Sequence, residues 1–169
     1  MTSRIVPARR YPCLLAACLA AFASLFAPLA REAGAQQIVL SNNRGLDFGR
    51  FVAGSGGTVV INPNGSRSRT GGVVLLNSPG AGQAVYSVGK SSNGNGAKAV
   101  IVSLPANGSI RLTSGNSSMA VGGFVNAPAA LLTVPAGGTT LSLGATLTVA
   151  PNQPPGKYTG SFPLIVNFQ

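Results

Sequence analysis

Residues 140–149 alternate strictly between apolar residues and polar or small ones. The apolar set comprises Leu141, Leu143, Ala145, Leu147 and Val149, and the other set comprises Thr140, Ser142, Gly144, Thr146 and Thr148. Successive side chains of a β-strand point to opposite faces of the sheet, so this run predicts a strand with one buried face. After residue 35, glycine and proline interrupt every stretch of the chain that is long enough for a helix. The chain is therefore predicted to fold through strands alone.

Shorter segments of the same kind recur along the chain, with turn residues between them. Alternation or high β-propensity marks residues 57–62, 83–89, 109–114 and 119–125, among others. Residues 72–76 form a continuous apolar run, which predicts a central strand. About eight to ten short strands at this spacing predict an antiparallel, immunoglobulin-like (Greek-key) β-sandwich.

The first 35 residues have the pattern of a secretory signal peptide. Residues 4–10 carry three arginines, residues 11–30 are apolar, and Ala33 and Ala35 fit the small-residue cleavage pattern. Cleavage is expected before Gln36. On this prediction residues 36–169 form one β-sandwich domain with no transmembrane segment, and we expect export to the periplasm, cell surface or medium of a Gram-negative bacterium.

Two other interpretations of the N-terminus stay open. Cys18 follows Leu15, Ala16 and Ala17, which resembles a bacterial lipobox and would make Cys18 a lipid-modified N-terminus. The apolar stretch could also remain as an uncleaved anchor.

The residue types left after residue 35 exclude most kinds of catalysis. The chain has no histidine, both cysteines precede residue 35, and Asp47 is the one later acidic side chain. Acid–base pairs, metal clusters and His-activated nucleophiles all need residues that are missing. A Ser-Lys pair is formally possible, but no motif supports it. We predict a protein without enzyme activity, cofactor or metal.

The charge of residues 36–169 is strongly basic. Eight Lys or Arg side chains stand against one carboxylate, a formal net charge of +7. The basic residues are scattered in the sequence, apart from Arg67 and Arg69, whereas nucleic-acid binders cluster them with aromatic residues. We expect no nucleic-acid binding and interpret most of these charges as solvated positions. Attraction to an anionic surface polymer is the alternative.

Five motifs together carry a family resemblance. They are LDFG at 46–49, GGTV at 56–59, GGV at 71–73, LGATLTV at 143–149 and GKYTGSF at 156–162. Their order and spacing resemble the bacterial exported domain of unknown function 4402 (DUF4402). The ending, GxYxG followed by an alternating strand, also resembles spore-coat U-type proteins and chaperone–usher pilins. That resemblance implies an immunoglobulin-like sandwich that is assembled into surface fibres.

The last strand is where the resemblance bears on function. Phe162, Leu164, Val166 and Phe168 alternate along it and are expected on one face. In pilin-type subunits such a strand borders a groove that a periplasmic chaperone or a neighbouring subunit fills by strand addition. We therefore expect a fimbrial-type structural or adhesive subunit, with these four residues at the subunit contact. In the alternative, the strand is ordinary core of a self-complete monomer that binds carbohydrate or an anionic surface polymer.

Gly156 and Tyr158 resemble a tyrosine corner. In this arrangement a tyrosine hydroxyl binds backbone a few residues upstream and fixes the connection before a late strand. The sequence therefore predicts a structural hydrogen bond from Tyr158.

Overall fold

The long strand predicted around residues 140–149 organises the fold. The computed structural model describes residues 37–91, 98–129 and 131–169. These form twelve strands: β1 (Ile38–Arg44), β2 (Phe51–Val52), β3 (Gly57–Ile61), β4 (Arg67–Gly71), β5 (Val74–Leu75), β6 (Ala84–Lys90), β7 (Lys98–Ser103), β8 (Ile110–Ser114), β9 (Ser117–Ala127), β10 (Leu131–Val134), β11 (Thr139–Val149) and β12 (Ile165–Phe168). The described residues contain no helix, and every pairing is antiparallel.

Strand β11 lies at the centre of a seven-stranded sheet. Its first half pairs with β6 and its second half with β3, while β9 pairs along most of the opposite edge. Gly144 lies where the neighbour changes from β6 to β3. The turn that leaves β3 runs against it, and a Cβ atom there would lie 2.9 Å from the backbone of Asn62 and Pro63. Glycine is required because the backbones approach so closely.

Two smaller sheets face this one. The first has the order β10-β7-β12, and the second consists of β2 and β5. Strand β11 supplies two cores: Leu141 and Leu143 pack with β6 and β7, whereas Ala145, Leu147 and Val149 pack with β3 and β9. All five side chains are buried. The alternation of β11 thus builds both halves of a curled sandwich, and the predicted all-β antiparallel sandwich is confirmed.

The structure differs from the sequence prediction at three places. Residues 72–76 do not form a central strand, because only Val74–Leu75 is a strand and Val74 is 51% exposed. Strand β4 was not predicted, since its sequence RSRTG is polar on both faces and lies at the sheet edge. Strand β10 was not predicted either, because residues 128–138 are rich in proline, alanine and glycine. The signal peptide and its cleavage residues Ala33, Ala35 and Gln36 lie outside the described residues. No helix in the described part is long and apolar enough to cross a membrane.

Tyr86, which lies on β6, makes the free energy of unfolding depend on pH in the alkaline range. Burial raises the pKa of its hydroxyl above the ordinary 10.0. The neutral form is therefore favoured in the folded chain, and its contribution is complete below pH 10 and lost as pH rises through the raised pKa. We expect the urea midpoint to fall between pH 9 and pH 12, and to fall less in Tyr86→Phe. An equal fall in both proteins would contradict this role.

Candidate functional site

The four residues assigned to the last strand share one face. Phe162, Leu164, Val166 and Phe168 are half-buried, and the residues between them are exposed. All four pack against the core formed by β6, β7 and β11. Strand β12 itself pairs with β7 on one edge, and no second partner is found for it among the described strands. Phe162 also contacts Phe124, with ring centroids 5.2 Å apart, and borders the groove described next.

A groove of about 1370 Å³ opens between two extended segments of the chain. One rim is formed by residues 46–54, which include β2. The other is formed by residues 152–160, which precede the last strand. The floor belongs to the seven-stranded sheet and is apolar. Of its residues, Ile110 and Leu112 are half-buried, whereas Met119, Val121 and Leu147 are buried.

The first rim has backbone groups that do not pair with β5. Arg50 accepts a hydrogen bond from Leu76 N at 2.9 Å, so Arg50 and Leu76 are a hydrogen-bonded pair of the β2–β5 ladder. Phe51, the next residue, faces Leu75 in a non-hydrogen-bonded pair, because the two kinds of pair alternate. The N–H and C=O of Phe51 therefore point away from β5, and no turn or loop hydrogen bond to them is found among the described residues.

The second rim also has backbone groups that do not pair with the neighbouring strand. Thr159 exchanges two backbone hydrogen bonds with Thr113 of β8, at 2.8 and 3.0 Å. Its neighbours Tyr158 and Gly160 must then direct their N–H and C=O groups away from β8. No backbone bond to either residue is present in the part of the chain that is described.

The two rims meet at one end, where Asn152 N donates to the Gly54 carbonyl at 3.1 Å, and the rest of the groove is a candidate position for an added strand. A strand placed there would cover the half-buried side chains of Ile110 and Leu112 and lie beside backbone groups that β5 and β8 leave unpaired. Open sheet edges of this kind take up an added strand. The sequence did not indicate this gap, because its rims are distant in the chain and only the topology brings them together.

Tyr158 stands at the second rim and is tied to backbone upstream. Its hydroxyl donates to the Pro154 carbonyl at 2.8 Å and accepts a bond from Gln153 Nε2 at 2.9 Å. Gln153 Nε2 also lies 3.5 Å from the Ser118 carbonyl of β9. At Gly156 a Cβ would lie 2.5 Å from Ser114 Oγ, so the segment passes close to β8. These contacts hold the rim in place.

We expect Tyr158→Phe to lower the free energy of unfolding by about 1 kcal/mol, because both hydroxyl bonds are lost while the ring stays. The measurement is a urea denaturation midpoint at neutral pH. Gln153→Ala provides a comparison, since it removes one of the same bonds. An unchanged midpoint in Tyr158→Phe would leave Tyr158 with a packing role alone.

Arginines that are scattered in the sequence gather beside the first rim. Arg44 donates to the Gly80 carbonyl at 2.9 Å, and Arg67 donates to the carbonyls of Leu76 and Arg50 at 3.0 and 2.7 Å. Asp47 lies among them and accepts a bond from Gly49 N at 2.7 Å. Sequence spacing could not show this cluster, because the carbonyls that bind the guanidinium groups belong to residues 9 to 36 positions away.

The electrostatics of this cluster are unbalanced. Burial lowers the pKa of Arg67, and the negative charge of Asp47 opposes that shift. Nε of Arg67 is buried without a hydrogen-bond partner. The exposed guanidinium of Arg50 has no hydrogen bond to any described residue. Arg44, Arg50 and Arg67 thus lie at or beside this rim, which carries one carboxylate side chain, that of Asp47.

The described residues hold no group of three His, Cys, Asp or Glu side chains that could bind a metal ion. What the groove offers chemically is apolar surface, backbone hydrogen bonds and positive charge. That combination suits binding of an extended chain. The absence of enzyme activity and of a cofactor stays a prediction.

Comparison with known proteins gives one match. No curated protein matches this chain, and no solved structure does. A family model described as a domain of unknown function (DUF4402) matches residues 38–168, which covers all twelve strands. The order of motifs seen in the sequence and the extent of this match agree, and the chain belongs to the DUF4402 family.

Proposed function

We propose that this protein is an exported, non-catalytic subunit of a cell-surface assembly, of structural or adhesive type, and that a strand from a neighbouring subunit completes its fold. The observation that carries the proposal is the groove between residues 46–54 and 152–160. Its floor is apolar, and the backbone groups of Phe51, Tyr158 and Gly160 on its rims are left unpaired by β5 and β8.

An added strand would pair with the free backbone groups of the rims and cover the apolar floor. The incoming backbone pairs with both rims, and alternate side chains cover the floor. A small-molecule site would instead be concave and mostly enclosed, with a few converging polar side chains. The signal-type N-terminus supports a place outside the cytoplasm, at the cell surface of a Gram-negative bacterium.

The last strand has a second role in this proposal. Phe162 borders the groove, while Leu164, Val166 and Phe168 pack against the core of β6, β7 and β11. The contact with the neighbour is therefore formed by the segment before β12, which includes Phe162, and by residues 46–54. The other three residues of the last strand hold β12 on the sandwich.

A photo-cross-linking experiment tests the proposal in cells that express the full chain. Residues 37–169 contain no cysteine, so one introduced thiol can be labelled with benzophenone-maleimide. Val52→Cys places the label on the rim, and Val125→Cys places it on β9 outside the groove, at similar exposures of 52% and 46%. We expect irradiation to give a higher-mass adduct at the cell surface from Val52→Cys only.

Two outcomes would count against the proposal. Equal adducts from both variants would indicate contact without use of the groove. A chain that stays a monomer, with no adduct from either variant, would favour a self-complete binding module.

A further inference from the structure

The charges around the groove indicate which kind of strand fills it. Arg50 lies on the first rim and Lys157 on the second, and both side chains are exposed. Arg44 and Arg67 are bound to the carbonyls of Gly80, Leu76 and Arg50, all of which line the groove. Asp47 is the one carboxylate side chain on the lining. A strand that enters this position therefore meets a net positive field.

A second copy of this chain does not complement that field. Between residues 37 and 169 the single acidic side chain is Asp47, which already belongs to the rim. The exposed edge strand β1 has the sequence IVLSNNR and would bring a further arginine. Two copies that each carry an excess of positive charge repel one another at low ionic strength.

We propose that the groove receives an extended segment of a different protein, with large apolar residues at alternate positions and Asp or Glu between them. The inference rests on the proposed function, since it names the partner of the same groove. The apolar residues face Ile110 and Leu112, the half-buried residues of the floor. The carboxylates lie at the rims, where Arg50 and Lys157 receive them.

Charge at the rim sets specificity more than it sets affinity. Exposed ion pairs are individually weak, but like charges brought together exclude wrong partners. Two rim cations therefore favour an acidic strand over a basic one by roughly tenfold at low salt. Screening should remove most of this preference at about 0.5 M salt.

The test uses the exported full chain and three labelled nine-residue peptides. They share leucine at alternate positions and carry glutamate, serine or lysine between the leucines. Fluorescence anisotropy at low salt is expected to rank them glutamate, serine, lysine, with the outer two about tenfold apart in Kd. Arg50→Glu and Lys157→Glu should each narrow that ratio. Arg69→Glu changes net charge equally but lies on β4 away from the groove lining, and should leave the ratio nearly unchanged.

Four other results of this experiment would each contradict part of the proposal. Equal binding of all three peptides would overturn the acidic partner and leave strand addition standing. Binding of none would overturn strand addition itself. Self-association tighter than binding of the glutamate peptide would assign the groove to a second copy. An alginate probe that binds more tightly than that peptide would assign the charges to an acidic polysaccharide.

Discussion

Replacing Gly144 by alanine is expected to abolish folding, or to cost about 4 kcal/mol or more of unfolding free energy. The added Cβ would overlap the Ile61 carbonyl oxygen and lie 2.9 Å from Asn62 C and Pro63 N. These are backbone atoms, so no rotamer change relieves the clash. Gly144 also lies at the centre of β11, between Leu143 and Ala145, which are buried in the two cores. A shift there would disturb both.

Gly45→Ala is the matched control, because nothing lies within 4 Å of a Cβ at that position. It should change stability by only a few tenths of a kcal/mol. Urea denaturation followed by circular dichroism measures both variants. A Gly144→Ala protein that melts with the wild type would show that the β3 turn can move away from β11.

The parts of the fold that the sequence predicted are those with one buried and one exposed face. Strand β11 is the clearest case, and β8 follows it, with Ile110 and Leu112 half-buried and Arg111 and Thr113 exposed. Period-two alternation arises because the core selects every second side chain. Where that selection is missing, as in the polar edge strand β4, the sequence contains no comparable signal.

Residues 72–76 show the opposite error, since a central strand was predicted there and is not found. The run is apolar, but Val73 is buried and Val74 is 51% exposed, so the chain there is only briefly a strand at the edge of a two-stranded sheet. An apolar residue on the surface is common and does not mark a central strand. Apolar content without alternation therefore predicted burial at the wrong position.

The candidate site was predictable only in part. The alternation of Phe162, Leu164, Val166 and Phe168 indicated a shared face, and the structure places them on one. The groove depends instead on the approach of residues 46–54 and 152–160, which are about a hundred positions apart. Neither rim has a strong strand pattern of its own. Their function as rims comes from backbone groups, whose direction no side-chain pattern records.

Supplying the vacant strand in cis is expected to raise stability by several kcal/mol. The donor is a seven-residue strand with three large apolar residues at alternate positions, joined to the full chain by a flexible Gly/Ser linker. Burial of each such side chain contributes roughly 1.5–3 kcal/mol, and ordering of the strand offsets part of that. A net gain on the order of 4 kcal/mol would appear as a clear rise in the thermal and urea midpoints.

The control carries the same linker and strand with the three apolar residues replaced by serine. Serine and threonine occupy the intervening positions in both, so the result does not depend on charge at the rim. Because Leu112, Met119 and Leu147 lie on the groove floor, protection of their strands in hydrogen exchange should also increase with the apolar donor. A monomer that melts cooperatively and gains nothing from that donor would be complete without a neighbour. The groove would then be a surface feature of a complete sandwich, and it would not bind an added strand.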